Sequence, residues 1–392
     1  MSRRLALVGA YAQLDGEVGG VSVVEVRDDA DTLTLTVLDR VGEPTEAGYL
    51  VHDPRTQRVY VVDERKTDGR GPVGPPAAIH EFALDPVSGR LEHRGATPVP
   101  GPFPTYLALD ADRRLLLCAD HGGFEHVEKI VHHEDGTWGT EYVYDDSTVL
   151  VHRLAADGTI EELSDVVVLG GHGPDPNTSA QSGGHAQASA HAHSVTIDPS
   201  GTFLLVGDKG ADRILVYRLG ETLELASTYA SEPQTGPRHL AFDPVSGRLY
   251  CDLEFASELL VLDFDAESGA ISPVSRCSTL AGDVGRTNEP ADLRVHPRGG
   301  LVYVNNRGED AVAWFSIADD GTPRWMGSVP LAASAHPGVA ARSIALAPDG
   351  ALLLVTDRPA GLLRAYRVAD DGSLTGAATL PVPGAAFVTV VV

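Results

Sequence analysis

The segment HSVTIDPSGTFLLVGDK (193–209) reads as a short apolar strand, an Asp-Pro-Ser-Gly turn and a second, almost continuous apolar strand. Five other stretches of the same 17-residue length align with it without a gap. They are GYLVHDPRTQRVYVVDE (48–64), TYLALDADRRLLLCADH (105–121), RHLAFDPVSGRLYCDLE (238–254), ADLRVHPRGGLVYVNNR (291–307) and RSIALAPDGALLLVTDR (342–358). Most copies are followed by a third alternating run, such as DRILVYRL (212–219), ELLVLDF (258–264), AVAWFSI (311–317) or LLRAYRV (362–368). A polar turn such as Asp370-Asp371-Gly372 and a fourth strand come next. Four antiparallel strands recurring at roughly 45–57 residues are the signature of a β-propeller blade. No apolar pattern of period 3.6 persists, which excludes a helical solenoid.

The two ends of the chain complete the count. LALVGAY (5–11) matches a second strand, VSVVEV (21–26) a third and LTLTVLD (33–39) a fourth, so one blade lacks its first strand. FVTVVV (387–392) is a surplus strand, and pairing it with the N-terminal strands closes the ring and removes an exposed sheet edge. The expected fold is therefore all-β: one seven-bladed β-propeller domain over residues 1–392, built of four-stranded antiparallel blades. One interval is abnormal, because 88 residues separate Thr105 from His193. The excess falls into insertions at about 121–147 and 170–192, and nine of the 15 histidines lie from His121 to His193. Long loops of this kind carry function or are mobile.

Composition narrows the function. Against 55 Asp and Glu stand 30 Lys and Arg, for a formal charge of −25. Such a surface repels phosphodiester backbones and anionic lipid, so neither nucleic acid nor membrane is an expected partner. Cys118, Cys251 and Cys277 show no CxxC spacing and fit buried thiols in a reducing compartment. The N-terminal apolar run is too short for a signal-peptide core, and no stretch reaches the roughly 18 apolar residues of a membrane span. The reading is a cytoplasmic protein, monomeric or weakly homo-oligomeric.

In a propeller blade the first strand runs along the central channel and the second returns beside it. The first and last residues of each copy should then emerge on one face of the disc, near the axis. Those positions read Gly48/Glu64, Thr105/His121, His193/Lys209, Arg238/Glu254, Ala291/Arg307 and Arg342/Arg358, with Tyr11 as the match in the first blade. A basic cluster inside an acidic protein suits a small anionic or carbonyl-bearing ligand. Alternation along the strand points His239 away from Arg238, which gives it a structural role. His121, His126, His132, His133, His172, His185, His191 and His193 form a reservoir of metal ligands, but no HExxH is present and no metal or other cofactor is expected. Gly-x-Ser-x-Gly, a P-loop and a dinucleotide fingerprint are also absent.

HAHSVTIDPSGTFLLVGDKGADRILVYRL (191–219), TGPRHLAFDPVSGRLY (235–250) and YVNNRGEDAVAWF (303–315) resemble the lactonase family of seven-bladed propellers. That family includes bacterial 6-phosphogluconolactonase and fungal carboxymuconate lactonising enzymes, and its members generally need no metal. The resemblance implies a site built from the histidine of HAHS (His191 or His193), Arg238, Glu254 and Arg307. Opening a lactone requires a base to activate water and a cation or donor for the oxyanion. His193 or Glu254 can serve as base, with Arg238 and Arg307 stabilising charge. Glu64, His121, His191, Lys209, Arg342, Arg358 and Tyr11 are expected to bind substrate. The leading expectation is hydrolysis of a sugar-derived or carboxylated lactone. A cycloisomerase using the same pocket is the runner-up, and a non-catalytic interaction propeller is the third reading.

Overall fold

A strand packed between sheets on both sides must be apolar on both faces, whereas one at the rim can alternate. The second strand of each repeat is of the first kind: Leu115–Asp120, Phe203–Asp208 and Leu352–Asp357 are buried at every position. Fourth strands such as Glu224–Ala230 alternate between exposed and half-buried residues and form the outer edge. The computed structural model describes residues 2–29, 32–66, 76–282, 285, 287–335 and 338–391. Among them the strands form seven four-stranded antiparallel sheets and one separate two-stranded hairpin, and the only helical residues are two short 3-10 turns. No helix among the described residues is long and apolar enough to cross a membrane.

From the axis outward, blade 1 consists of Ala385–Val391, Ser2–Ala10, Gly20–Asp28 and Leu33–Val41. The C-terminal strand is thus its innermost member, pairing Val388 with Val8 and Val390 with Ala6. It begins two residues before the expected boundary, and Val392 lies outside the described residues. Blade 2 runs from Ala47–Asp53 to Leu91–Pro98, and blade 3 from Pro104–Asp110 to Ile160–Leu169. Blades 4 to 7 begin at Ala192, Pro237, Glu289 and Ile344, and each keeps its four strands in sequence order. Each innermost strand contacts the innermost strands of the blades on either side, and the chain of contacts returns to its start.

The inner turns owe their shape to aspartates. Asp198 accepts hydrogen bonds from the backbone N–H of Ser200 (3.0 Å) and Phe203 (2.6 Å), and Gly201 takes a φ of 70° that a side chain would resist. The first insertion, within blade 3, forms the exposed hairpin His126–His132 and Trp138–Tyr144. The second, after blade 3, folds back over the disc. Gly173 N–H donates to Gln187 O (3.0 Å) and Gly210 O (2.8 Å), and Gln187 Nε2 donates to Lys209 O (2.9 Å).

The closing strand is a direct test of the ring. Val388 is fully buried in a cluster with Ala6, Val8 and Leu354. Val388→Asp puts an unpaired carboxylate there, and urea denaturation should register a loss of at least about 3 kcal/mol. A loss below about 1 kcal/mol would mean that this strand does not hold the ring.

Candidate active site

The first residue of five of the six copies sits at an irregularity in its strand, and Arg342 of the sixth precedes its strand, Ile344–Leu346. Pairing between first and second strands shifts at Ala47/Tyr49, Pro104/Tyr106, Ala192/Ser194, Pro237/Leu240 and Pro290/Asp292. These shifts bracket Gly48, Thr105, His193, Arg238 with His239, and Ala291. A β-bulge of this kind re-aims the side chain it contains. The opposing residues Glu64, His121, Lys209 and Glu254 each lie one position past the end of a second strand, and Arg307 is the last residue of its own.

Together these residues surround a cavity of about 950 Å³ at the mouth of the central channel. Glu64, His121, His193, Lys209, Arg238, Glu254, Arg307 and Arg342 all line it. Its five cationic side chains, Lys66 included, exceed its three carboxylates, Glu64, Glu125 and Glu254. Gly48 does not line the cavity but leaves room for the Glu64 side chain, whose Oε2 a Cβ there would strike.

Glu254 is fully buried at the centre of the cationic group. Arg307 Nη2 donates to its Oε1 at 2.6 Å, while Lys209 Nζ and Arg238 Nε lie 3.0 and 3.2 Å from Oε2. Burial alone would push this carboxyl up, but Lys209, Arg307 and Arg238 outweigh it and hold the group well below the usual carboxylate range. Burial pulls the Lys209 ammonium down, Glu254 opposes that shift, and the Phe124 and Phe255 rings lie 5.5 and 5.6 Å away. Arg238 is pinned further, Nη1 donating to Ala291 O and lying 3.0 Å from His239 Nε2.

The histidines form a buried row beside these cations. His121 and His191 stack with centroids 4.4 Å apart, and His193 meets His121 edge-on at 5.5 Å and His239 at 5.2 Å. His193 lines the cavity, and its Nδ1 makes no hydrogen bond within the described structure. Burial, then Arg238 and Lys209, hold its imidazole well below the usual histidine value, so it is neutral at pH 7. His191 lies behind His121, off the cavity, with Nδ1 2.8 Å from His121 O. Tyr11 and Arg358 also stand outside the lining. The Tyr11 hydroxyl donates to Glu64 and accepts from Arg342 Nη1 at 2.7 Å. The guanidiniums of Arg342 and Arg358 lie over its ring at 5.3 and 4.8 Å, and Glu17 holds Arg358 through Nε (2.6 Å) and Nη2 (2.9 Å).

The expected separation of Arg238 and His239 fails, because both occupy the bulge and alternation is lost there. His239 still stays off the cavity, where its Nδ1 lies 3.1 Å from Asp292 Oδ1. Two participants were missed. Gln181, on the 3-10 turn of the second insertion, donates from Nε2 to Glu254 Oε1 (2.7 Å) and to Glu289 Oε2 (2.6 Å). Glu289, buried beside it, also accepts from Ser179 Oγ at 3.0 Å. The signal available for Gln181 was its place in the abnormal interval; Glu289 lies outside the 17-residue register.

Comparisons with known proteins agree with this architecture. The family model described as Lactonase, 7-bladed beta-propeller, matches residues 5–390. The 6-phosphogluconolactonase of Bacillus subtilis (strain 168) is 23% identical over 320 residues, 81% of this chain and 78% of its own. The protein of that name from Pectobacterium carotovorum subsp. carotovorum (strain PC1) is 26% identical over 292 residues, 74% and 72% of the two chains. Among solved structures, the periplasmic gluconolactonase PpgL of Pseudomonas aeruginosa matches with a TM-score of 0.80 at 23% identity, covering 100% of this chain and 99% of that one. A protein from Lactobacillus plantarum matches with the same TM-score at 24% identity, with both chains fully covered.

Two measurements follow from the electrostatics. Glu254→Gln leaves three buried cations undercompensated, and unfolding at pH 7 should show a loss of about 3–5 kcal/mol. A variant as stable as the parent would remove Glu254 from the centre of the cluster. Burial lowers His191 to about 4 from 6.5, so between those values the unfolded chain binds its proton and the folded chain does not. Its contribution is intact above pH 6.5 and drains by up to about 3 kcal/mol as pH falls through 4. Urea melts of His191→Asn from pH 7.5 to 4 should therefore show a shallower acid decline than the parent. Parallel curves would contradict this.

Proposed function

The chain belongs to the seven-bladed β-propeller lactonase family, and on that premise we propose that it hydrolyses a sugar-derived lactone bearing an anionic group. The observation that carries the proposal is His193: a buried, neutral imidazole in the lining of a cavity that also presents Lys209, Arg238 and Arg307. A neutral imidazole can accept a proton from water, and adjacent cations can meet the negative charge that develops at a carbonyl oxygen. Glu254 suits the second candidate role, that of base, poorly. Its oxygens already face three cations and Gln181, and its depressed pKa leaves little basicity. Its proposed role is to hold the cations in place.

In the proposed reaction, the water oxygen attacks the lactone carbonyl carbon while its proton passes to His193. The tetrahedral oxyanion faces Arg238 and Lys209. Collapse breaks the ring C–O bond, and the imidazolium returns its proton to the leaving alkoxide, giving a hydroxy acid. Arg342 and Lys66, which also line the cavity, are the proposed partners of the anionic substituent. Relatives named as lactonases favour hydrolysis over the cyclising direction. The three cysteines are free, which is in keeping with a cytoplasmic setting for this activity.

A panel of aldonolactones, with and without a phosphate, followed by acid release, tests the proposal. His193→Asn should lower kcat by about 10²–10⁴ with little change in melting temperature. The acid limb of the parent's kcat/KM profile should lie below pH 6.5, following the direction of the His193 shift. Inertness of the parent toward every lactone would overturn the reading, and full activity in His193→Asn would remove the base.

A further inference from the structure

A second chemical group lies away from the cavity, where blade 1 meets blade 2. Glu43 sits in the connection between Leu33–Val41 and Ala47–Asp53, His80 on the third strand of blade 2 and His93 on its fourth. One ligand atom from each of the three falls within 4.8 Å of the other two. Among the described residues this is the one group of three histidine, cysteine or carboxylate side chains that converges so closely. The histidines of the two insertions form no such group among those residues.

We propose that Glu43, His80 and His93 bind a divalent transition-metal ion of the zinc class, with the remaining position open to water. The geometry supports the chemistry. Two nitrogen ligands at about 2.0–2.1 Å from a tetrahedral zinc ion lie about 3.3 Å apart. His80 Nδ1 and His93 Nε2 are 3.3 Å apart, a separation long for a hydrogen bond between neutral rings. Their rings are positioned by packing, with His93 5.0 Å and His80 6.5 Å from the Phe82 ring centroid. Glu43 is exposed and its side chain can close the remaining distance. Arg65, the nearby cation, is paired with Asp63 at 2.5 Å. Two imidazoles and one carboxylate favour zinc-class ions over calcium or magnesium, which prefer all-oxygen shells. A bound ion would tie the link from blade 1 to the outer strands of blade 2.

The test uses the full chain, freed of metal and titrated with Zn²⁺ against a chromophoric chelator, with Co²⁺ absorption as the report on four-coordination. The parent should bind one equivalent that His80→Ala and His93→Ala each weaken by about 100-fold or more and Glu43→Gln by about tenfold. His126→Ala and His132→Ala, on the exposed hairpin, should bind as the parent does. Zn²⁺ should raise the melting temperature of the parent and of those two controls, and leave His93→Ala unmoved. Each variant's melting curve without metal establishes that it is folded. Absence of the stoichiometric site, its survival in both His80→Ala and His93→Ala, or its loss in the hairpin variants would overturn the proposal.

Discussion

Three cationic side chains share one buried space only because Glu254 stands among them. Lys209 comes from blade 4, Arg238 from blade 5 and Arg307 from blade 6, so one carboxylate joins three consecutive sheets through its two oxygens. Without it their mutual repulsion in a poorly solvated cavity would force the mouth apart or draw in counter-ions. The same interaction that packs these blades also fixes the site's electrostatics. It leaves the cavity cationic inside a protein whose formal charge is −25.

Much of this was legible in the residues. Runs such as LLLCAD and FLLVGD announce strands covered on both faces, and equal copy lengths place the chemistry-bearing positions at corresponding points of successive blades. The surplus C-terminal strand followed from a missing partner at the other end. The bulges were not legible, because a register shift depends on how a strand meets its neighbour and leaves no periodic mark. That is why the alternation argument works along the blades but misplaces His239 relative to Arg238.

Gln181 was illegible for a different reason. A polar segment rich in glycine and serine has no apolar face to fix its path, so only the completed ring gives it an address. Backbone contacts to Gly210 and Lys209 hold the segment against blade 4, and one amide nitrogen then bridges Glu254 and Glu289. The 88-residue interval marked where an unusual element would be, but not what it would touch. Tyr11, His191 and Arg358 illustrate the converse: register brought them to the right neighbourhood, and packing set Tyr11 behind Glu64 and Arg342, His191 behind His121, and Arg358 over the Tyr11 ring.

The innermost strand of blade 1 comes from residues 385–391, while its other three come from residues 2–41. During translation the first three strands therefore emerge with one hydrogen-bonding edge bare until residues 385–391 have been made. The other six sheets each draw all four strands from one contiguous stretch of chain, yet the ring stays a horseshoe until residues 385–391 dock. Losing residues 385–391 would leave that edge open to pairing with another chain, so a contact between the most distant parts of the sequence guards the sheet against association.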